Sequence, residues 1–177
     1  MSHDPSNVIV RAMGREDLAE AMAIQLESYP AFLCEHEDAF ASRLDVPHPY
    51  CLAATLDGKL VGYLLAHGWQ SQSPPAIGAV LSRDVPGEVL FIHDLAISRS
   101  GRTLGIGRKL IMSAFKAAAS DGLKLAELIA VEGAARYWQT LGFAEVAISS
   151  ALAAKVASYG ADARWMTREI VSYAPVG

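Results

Sequence analysis

Leu95-Ala96-Ile97-Ser98-Arg99-Ser100-Gly101-Arg102-Thr103-Leu104-Gly105-Ile106-Gly107-Arg108-Lys109-Leu110 joins the end of an apolar run to the start of a helical one. From Ser100 to Leu110 it places three glycines and three basic residues in eleven positions. A strand, a glycine-rich turn and a helix, in that order, can hold an anion. Unpaired backbone N–H groups and the positive end of the helix dipole then face one point. Glycine admits a close ligand and takes positive φ without a steric penalty. Arg102 and Arg108 can add charge-assisted hydrogen bonds to phosphate. Taken alone, the stretch also reads as a flexible turn that merely starts a helix.

Two nucleotide motifs do not fit it. A Gly-x4-Gly-Lys-Ser/Thr frame is missing. The dinucleotide pattern Gly-x-Gly-x-x-Gly, begun at Gly105, would need glycine where Leu110 stands. The frame that fits is Arg102-x-x-Gly105-x-Gly107.

The rest of the chain supplies the setting. Its 177 residues suit one domain, 1–177, with a real core, and 1–7 are expected to be flexible. Hydrophobic residues make up 52% and charged residues 19%, which excludes disorder. The net charge of −4 points away from nucleic acid as a partner, so the positive charge near Arg102 is local. No apolar run reaches the roughly 18 residues of a membrane span. Met1 to Asn7 is polar, without a signal-like stretch. Cys34 and Cys51 fit a reducing cytoplasm, and neither has metal-ligand spacing, so no metal is expected.

Periodicity gives the order of elements. Val8–Met13 reads as a strand, and Arg15–Ser28 and His36–Leu44 as helices. Tyr50–Thr55 and Leu60–Ala66 flank Asp57-Gly58, the clearest hairpin in the chain. Trp69–Gly87, with Pro74, Pro75 and Pro86, reads as a loop. Then come strand Glu88–Ile97, helix Gly105–Ser120, strand Leu125–Val131, helix Ala134–Leu141, and strands Phe143–Ile148 and Arg164–Ile170. Ser150–Tyr159 is ambiguous, though its alanines allow a helix. The mixture predicts an α/β (α+β) three-layer domain around a mixed sheet.

Leu95-Ala96-Ile97, four residues, then Arg102-x-x-Gly105-Ile106-Gly107-Arg108 resembles the acetyl-coenzyme A motif of the GCN5-related N-acetyltransferases, the GNAT family. Tyr137-Trp138-Gln139-Thr140-Leu141-Gly142-Phe143 resembles the family's second signature, and the Asp57-Gly58 hairpin with Val61-Gly62-Tyr63 matches its early strands. The resemblance runs from Val8 to about Ile170. It implies about seven strands, splayed between the fourth and fifth, flanked by about four helices. It implies an acetyl-CoA-dependent N-acetyltransferase acting on a primary amine of a small molecule or peptide. The backbone of Leu95, Ala96 and Ile97 would pair with the pantetheine arm. Amides from Arg102 through Thr103, Leu104, Gly105 and Ile106 to Gly107 would hold the pyrophosphate, with Arg108 reaching a phosphate and Trp138 beside the cofactor.

An amine acceptor must lose a proton before it attacks. His93 is the best base, because histidine's ordinary pKa of about 6.5 suits the task. Strand alternation predicts that His93 shares a face with Phe91, Leu95 and Ile97, with Asp94 on the other. Tyr137 and Tyr159 are the candidate acids. Relatives often carry a tyrosine where this chain has Trp138, which puts the usual acid in doubt, and Glu132-Gly133 replaces a frequent asparagine. Neither cysteine lies near either motif, which argues for direct transfer.

The acceptor is expected among the first two helices and the loop from Trp69 to Gly87. Glu35-His36-Glu37-Asp38 there could attract a cationic amine, or simply favour a helix start. Homodimerisation through a late strand edge is plausible. A non-catalytic acyl-CoA sensor of the same fold and an unrelated nucleotide binder remain as alternatives.

Overall fold

The computed structural model describes residues 7–47, 49–84 and 87–172. The expected flexible stretch therefore lies, except for Asn7, outside the described residues, as does Pro86 of the long loop. Strand β1 (Val8–Ala12) leads through a short 3-10 turn into α1 (Leu18–Ser28), followed by α2 (Glu37–Asp45). β2 (Leu52–Leu56) and β3 (Lys59–Trp69) form the hairpin. Asp57 (φ 51°) and Gly58 (φ 81°) both take the left-handed turn that matches strand twist.

β4 (Val89–Ile97), α3 (Ile106–Ser120), β5 (Leu125–Ala130), α4 (Ala135–Thr140), β6 (Ala144–Glu145), α5 (Ser150–Ala157) and β7 (Arg164–Glu169) complete the chain. The ambiguous alanine segment is thus a fifth α-helix, one more than the resemblance implied. Ser149 caps it by accepting the Leu152 amide at 3.2 Å. β6 is much shorter than the expected Phe143–Ile148. It is an edge strand that meets β7 alone, and residues 144–147 are exposed.

The sheet order is β1-β2-β3-β4-β5-β7-β6. β4 and β5 are parallel, and their neighbours are antiparallel. The β4–β5 register holds only from Leu90↔Ala126 to Ile92↔Leu128. Beyond it β4 runs on to Ile97 and β5 to Ala130 without pairing to each other, each still paired to its outer neighbour. The splay between fourth and fifth strands is therefore present.

One face of the sheet carries Leu90, Ile92, Leu128 and Met166 against the apolar stripe of α3, Ile106, Leu110, Ile111 and Phe115. On the other face, Ala53, Tyr63, Leu65 and Ala96 pack under α1 and α2. Phe91 and Trp165 pack there under Leu152 and Val156 of α5. The sheet is thus the middle of three layers, and its gap opens between both helical layers.

Candidate active site

The strand that carries His93 is bulged. Leu65 faces Asp94, yet the next β3 residue, Ala66, faces Ile92, so His93 is one extra residue on β4. The extra residue resets the alternation. Leu95 and Ile97 pack toward α3, while Ala96 packs toward α1 and α2. Asp94 accepts the Tyr63 hydroxyl at 2.5 Å on that same side. His93 and Asp94 therefore share a face, and Leu95 and Ile97 lie on the other. Simple alternation is right that His93 lies with Phe91 and that Asp94 lies opposite Leu95 and Ile97, and wrong in setting His93 with Leu95 and Ile97, because a bulge inserts a residue where the pattern counts none.

His93 is held by a buried carboxylate. Its Nε2 is hydrogen-bonded to Glu35 Oε1. Glu35 Oε2 accepts the Gly78 amide at 2.8 Å and pairs with Arg43 Nη2 at 3.2 Å. The Arg43 side chain is fully buried and also donates to the carbonyls of Ala39 and Ala79. Gln25 clamps the Glu35 backbone with two hydrogen bonds of 3.0 Å, one to its carbonyl and one from its amide. Burial alone would raise the Glu35 carboxyl. The hydrogen bond and charge of His93, the Arg43 guanidinium and the Gly78 amide outweigh it and hold Glu35 below its ordinary range. Glu35 is thus no surface lure for a cation, while His36, Glu37 and Asp38 are exposed. No local signal marked it, because its partner lies 58 residues away.

The other titratable groups divide by surroundings. Burial raises Asp94, tempered by the Tyr63 hydrogen bond and the Tyr29 hydroxyl nearby. Tyr29 Oη donates to the Leu95 carbonyl at 2.8 Å. His67 is fully buried, and desolvation pushes it down to about 3, so it stays neutral. Burial raises both thiols, Cys51 to about 12.

A cavity of about 290 Å³ joins these parts. It runs from Tyr29, Glu35 and His93, along Leu95, Ala96 and Ile97, to Arg102 and Trp138. At its far end the turn matches what the sequence suggested. Thr103 (φ 70°) and Gly105 (φ 69°) are left-handed, and Gly105 is the N-cap of α3. That cap has no side chain, so the first-turn amides of α3 lack the side-chain acceptor that Ser149 gives α5. A side-chain carbon on Gly107 would fall 2.0 Å from Tyr137 Oη, so any larger residue there must push the Tyr137 ring aside. Arg102 and Arg108 are exposed, Leu104 is half-buried, and Ile106 is core.

Trp138 is buried against Phe143 and lines the cavity. Tyr137 and Tyr159 line it too, but apart from each other in role. Tyr137 Oη rests on Gly107 at the turn, whereas Tyr159 Oη donates to the Pro75 carbonyl. An open backbone edge, an uncapped glycine N-terminus and two arginines suit an extended, phosphate-bearing ligand such as coenzyme A.

The family model described as "Acetyltransferase (GNAT) family" matches residues 18–143. The chain belongs to the GNAT acetyltransferase family. No curated protein matches its sequence. Among solved structures, this GNAT chain is similar to the loading GNATL domain of CurA from Lyngbya majuscula. The TM-score is 0.72 at 12% identity, over 92% of this chain and 98% of that one. It is similar to the ribosomal-protein-S18-alanine N-acetyltransferase from Escherichia coli, with a TM-score of 0.67 at 16% identity, over 96% and 97%. It is also similar to the PaiA N-acetyltransferase from Thermoplasma acidophilum in complex with coenzyme A, with a TM-score of 0.62 at 13% identity, over 92% and 98%. At such identities the likeness is one of fold.

Proposed function

We propose that this GNAT protein moves an acetyl group from acetyl-CoA directly to a primary amine of a small molecule or peptide. One observation carries the proposal. A single cavity runs from Arg102, at the start of the glycine turn, along the edge of β4 that β5 leaves unpaired, to a histidine bonded to a buried carboxylate. A sensor needs the first two of these and has no use for the third.

The donor arm would lie along Leu95, Ala96 and Ile97, with its pyrophosphate on the amides of residues 102–107 and on Arg102 and Arg108. Acetyl-CoA supplies an acetyl thioester, whose C–S bond breaks as the C–N bond forms, the sulfur keeping the electron pair. The chain's own residues handle the protons. With the Nε2 proton of His93 donated to Glu35, the Nδ1 lone pair is left to take a proton from the incoming ammonium. Glu35 then neighbours the imidazolium it helped to orient, the arrangement that positions a base in many hydrolytic sites. Tyr137, on the donor side of the cavity, gives the thiolate its proton. Tyr159 holds the β3–β4 connection through Pro75. The balance is one ammonium and one thioester to one amide, one thiol and one released proton. Raised thiols at Cys34 and Cys51 support direct transfer over an acetyl-cysteine route.

Thiol release from acetyl-CoA over a panel of amines, amino acids and peptides tests the proposal. Amine-dependent release supports it. Tight coenzyme A binding with no release above the buffer rate for any acceptor would favour the sensor instead.

A further inference from the structure

The acceptor side of the cavity has a charge pattern that the transfer reading does not explain. Its walls include Leu33, Ile77 and Phe91, with Glu35, Asp94 and Tyr159. Among the described residues lining the cavity, the only Lys or Arg is Arg102, at the phosphate end. The nearest guanidinium on the acceptor side, Arg43, stands behind Glu35 and is committed to it and to two carbonyls. The stretches outside the described residues contain neither Lys nor Arg. A bound carboxylate or phosphate would thus be buried beside two carboxyls with no permanent cation to pair it and only His93, already bonded to Glu35, to serve when protonated, which is unfavourable.

A positive group meets the opposite situation. Asp94 Oδ2 accepts from Tyr63, but Oδ1 is buried with no hydrogen-bond partner, the one proton of the nearby Tyr29 hydroxyl going to the Leu95 carbonyl. Such an oxygen calls for an explanation, and a donor brought by a ligand provides one.

The connection beside the compartment is also tied down. Ser71 Oγ and Gln72 N bond to Glu127 at 2.7 and 2.9 Å, Gly78 N to Glu35 at 2.8 Å, and Leu81 N to Ser42 Oγ at 3.0 Å. With Tyr159 on Pro75 and Arg43 on the Ala79 carbonyl, these ties draw the β3–β4 connection over the acceptor side. About 290 Å³ has to hold both the donor's arm and the acceptor, which leaves room for a compact molecule.

We propose that the acceptor is a compact alkyl- or aralkylamine without carboxylate or phosphate, whose ammonium meets Asp94 Oδ1 on arrival. The inference rests on the acetyl-transfer reading and narrows it. The full chain is assayed for thiol release from acetyl-CoA with matched pairs: phenylethylamine and phenylalanine, tyramine and tyrosine, butane-1,4-diamine and ornithine. The amine is expected to exceed its amino acid in kcat/KM by at least 100-fold in each pair. Equal turnover, or a peptide α-amine preferred over every amine, overturns the inference and leaves acetyl transfer standing. Leu33→Arg offers the missing cation, and is expected to narrow the ratio at least tenfold. A folded variant with an unchanged ratio overturns the charge argument. If no acceptor releases thiol, the transfer reading fails, and ligand-detected NMR with coenzyme A present decides the pocket's class. Binding of the amine alone supports the inference. Equal or absent binding of both members overturns it.

Discussion

His93 Nε2 and Glu35 Oε1 are hydrogen-bonded across 58 residues of sequence, with only 5% and 6% of their side chains exposed. The pair joins the sheet's bulge to the segment between α1 and α2. In the proposed transfer Glu35 would act through His93, as a positioning residue. Glu35→Gln keeps the shape and removes the charge. It is expected to lower kcat/KM by roughly 10- to 100-fold, by analogy with the loss when a carboxylate orienting a metal-bound histidine is altered. Nitrogen-15 NMR of the wild-type imidazole should show the neutral ring protonated at Nε2. A ring protonated at Nδ1 would remove the basis for Nδ1 as proton acceptor.

Acid stability follows from the same carboxylate. Glu35 sits below the ordinary 4.5 in the folded protein. The unfolded chain therefore binds the proton first as pH falls. The stabilisation is present above about pH 4.5 and is lost as pH falls through the folded value. Asp17, held down mainly by hydrogen bonds from Arg11 at 2.7 Å, adds in the same sense. Asp94, raised by burial, acts in the opposite sense. Both are common to wild type and variant. Urea unfolding of Glu35→Gln should thus show a shallower decline in stability below pH 5 than wild type. Parallel declines would show that Glu35 is not held down.

Arg43 supports the pair from behind. Arg43→Met leaves the Glu35 charge buried with its histidine and one amide but no permanent cation. Breaking a buried ion pair from one side costs about 3–5 kcal/mol. In a chain of this length that corresponds to roughly a 10 °C fall in Tm. A calorimetric shift under about 2 °C would mean that the ion pair contributes little.

Much of this was readable in the sequence because it is local. Asp57-Gly58, the glycine turn and the α3 stripe each declare themselves within a few residues, and the two signatures fell in the family's order. The face of His93 relative to Leu95 and Ile97 was not readable, because a bulge at His93 leaves no mark in the alternation of Phe91 to Ile97. Glu35 was misread as part of an exposed acidic cluster for a similar reason. Only folding brings Arg43, Gly78 and His93 around it. Tyr137 and Tyr159 looked alike as phenols until the structure set one on Gly107 and the other on Pro75.

The glycine turn gives a test on the donor side. In Gly107→Ala the new carbon would lie 2.0 Å from Tyr137 Oη. Tyr137 is 43% exposed and can swing aside, so the fold should survive. The displaced ring and added methyl would then crowd the first turn of α3. Calorimetric titration with coenzyme A should give an affinity at least tenfold weaker, about 1.4 kcal/mol. Wild-type affinity in a folded variant would mean that the ligand does not approach this turn.

The central claim is that a proton leaves the acceptor amine for His93 while acetyl is transferred. The most direct measurement is kcat/KM for thiol release against pH, with the best amine of the panel, in wild type and His93→Gln. At least a tenfold fall in the variant and loss of the acidic limb of the profile are expected. A variant that keeps both the wild-type rate and the acidic limb would contradict it.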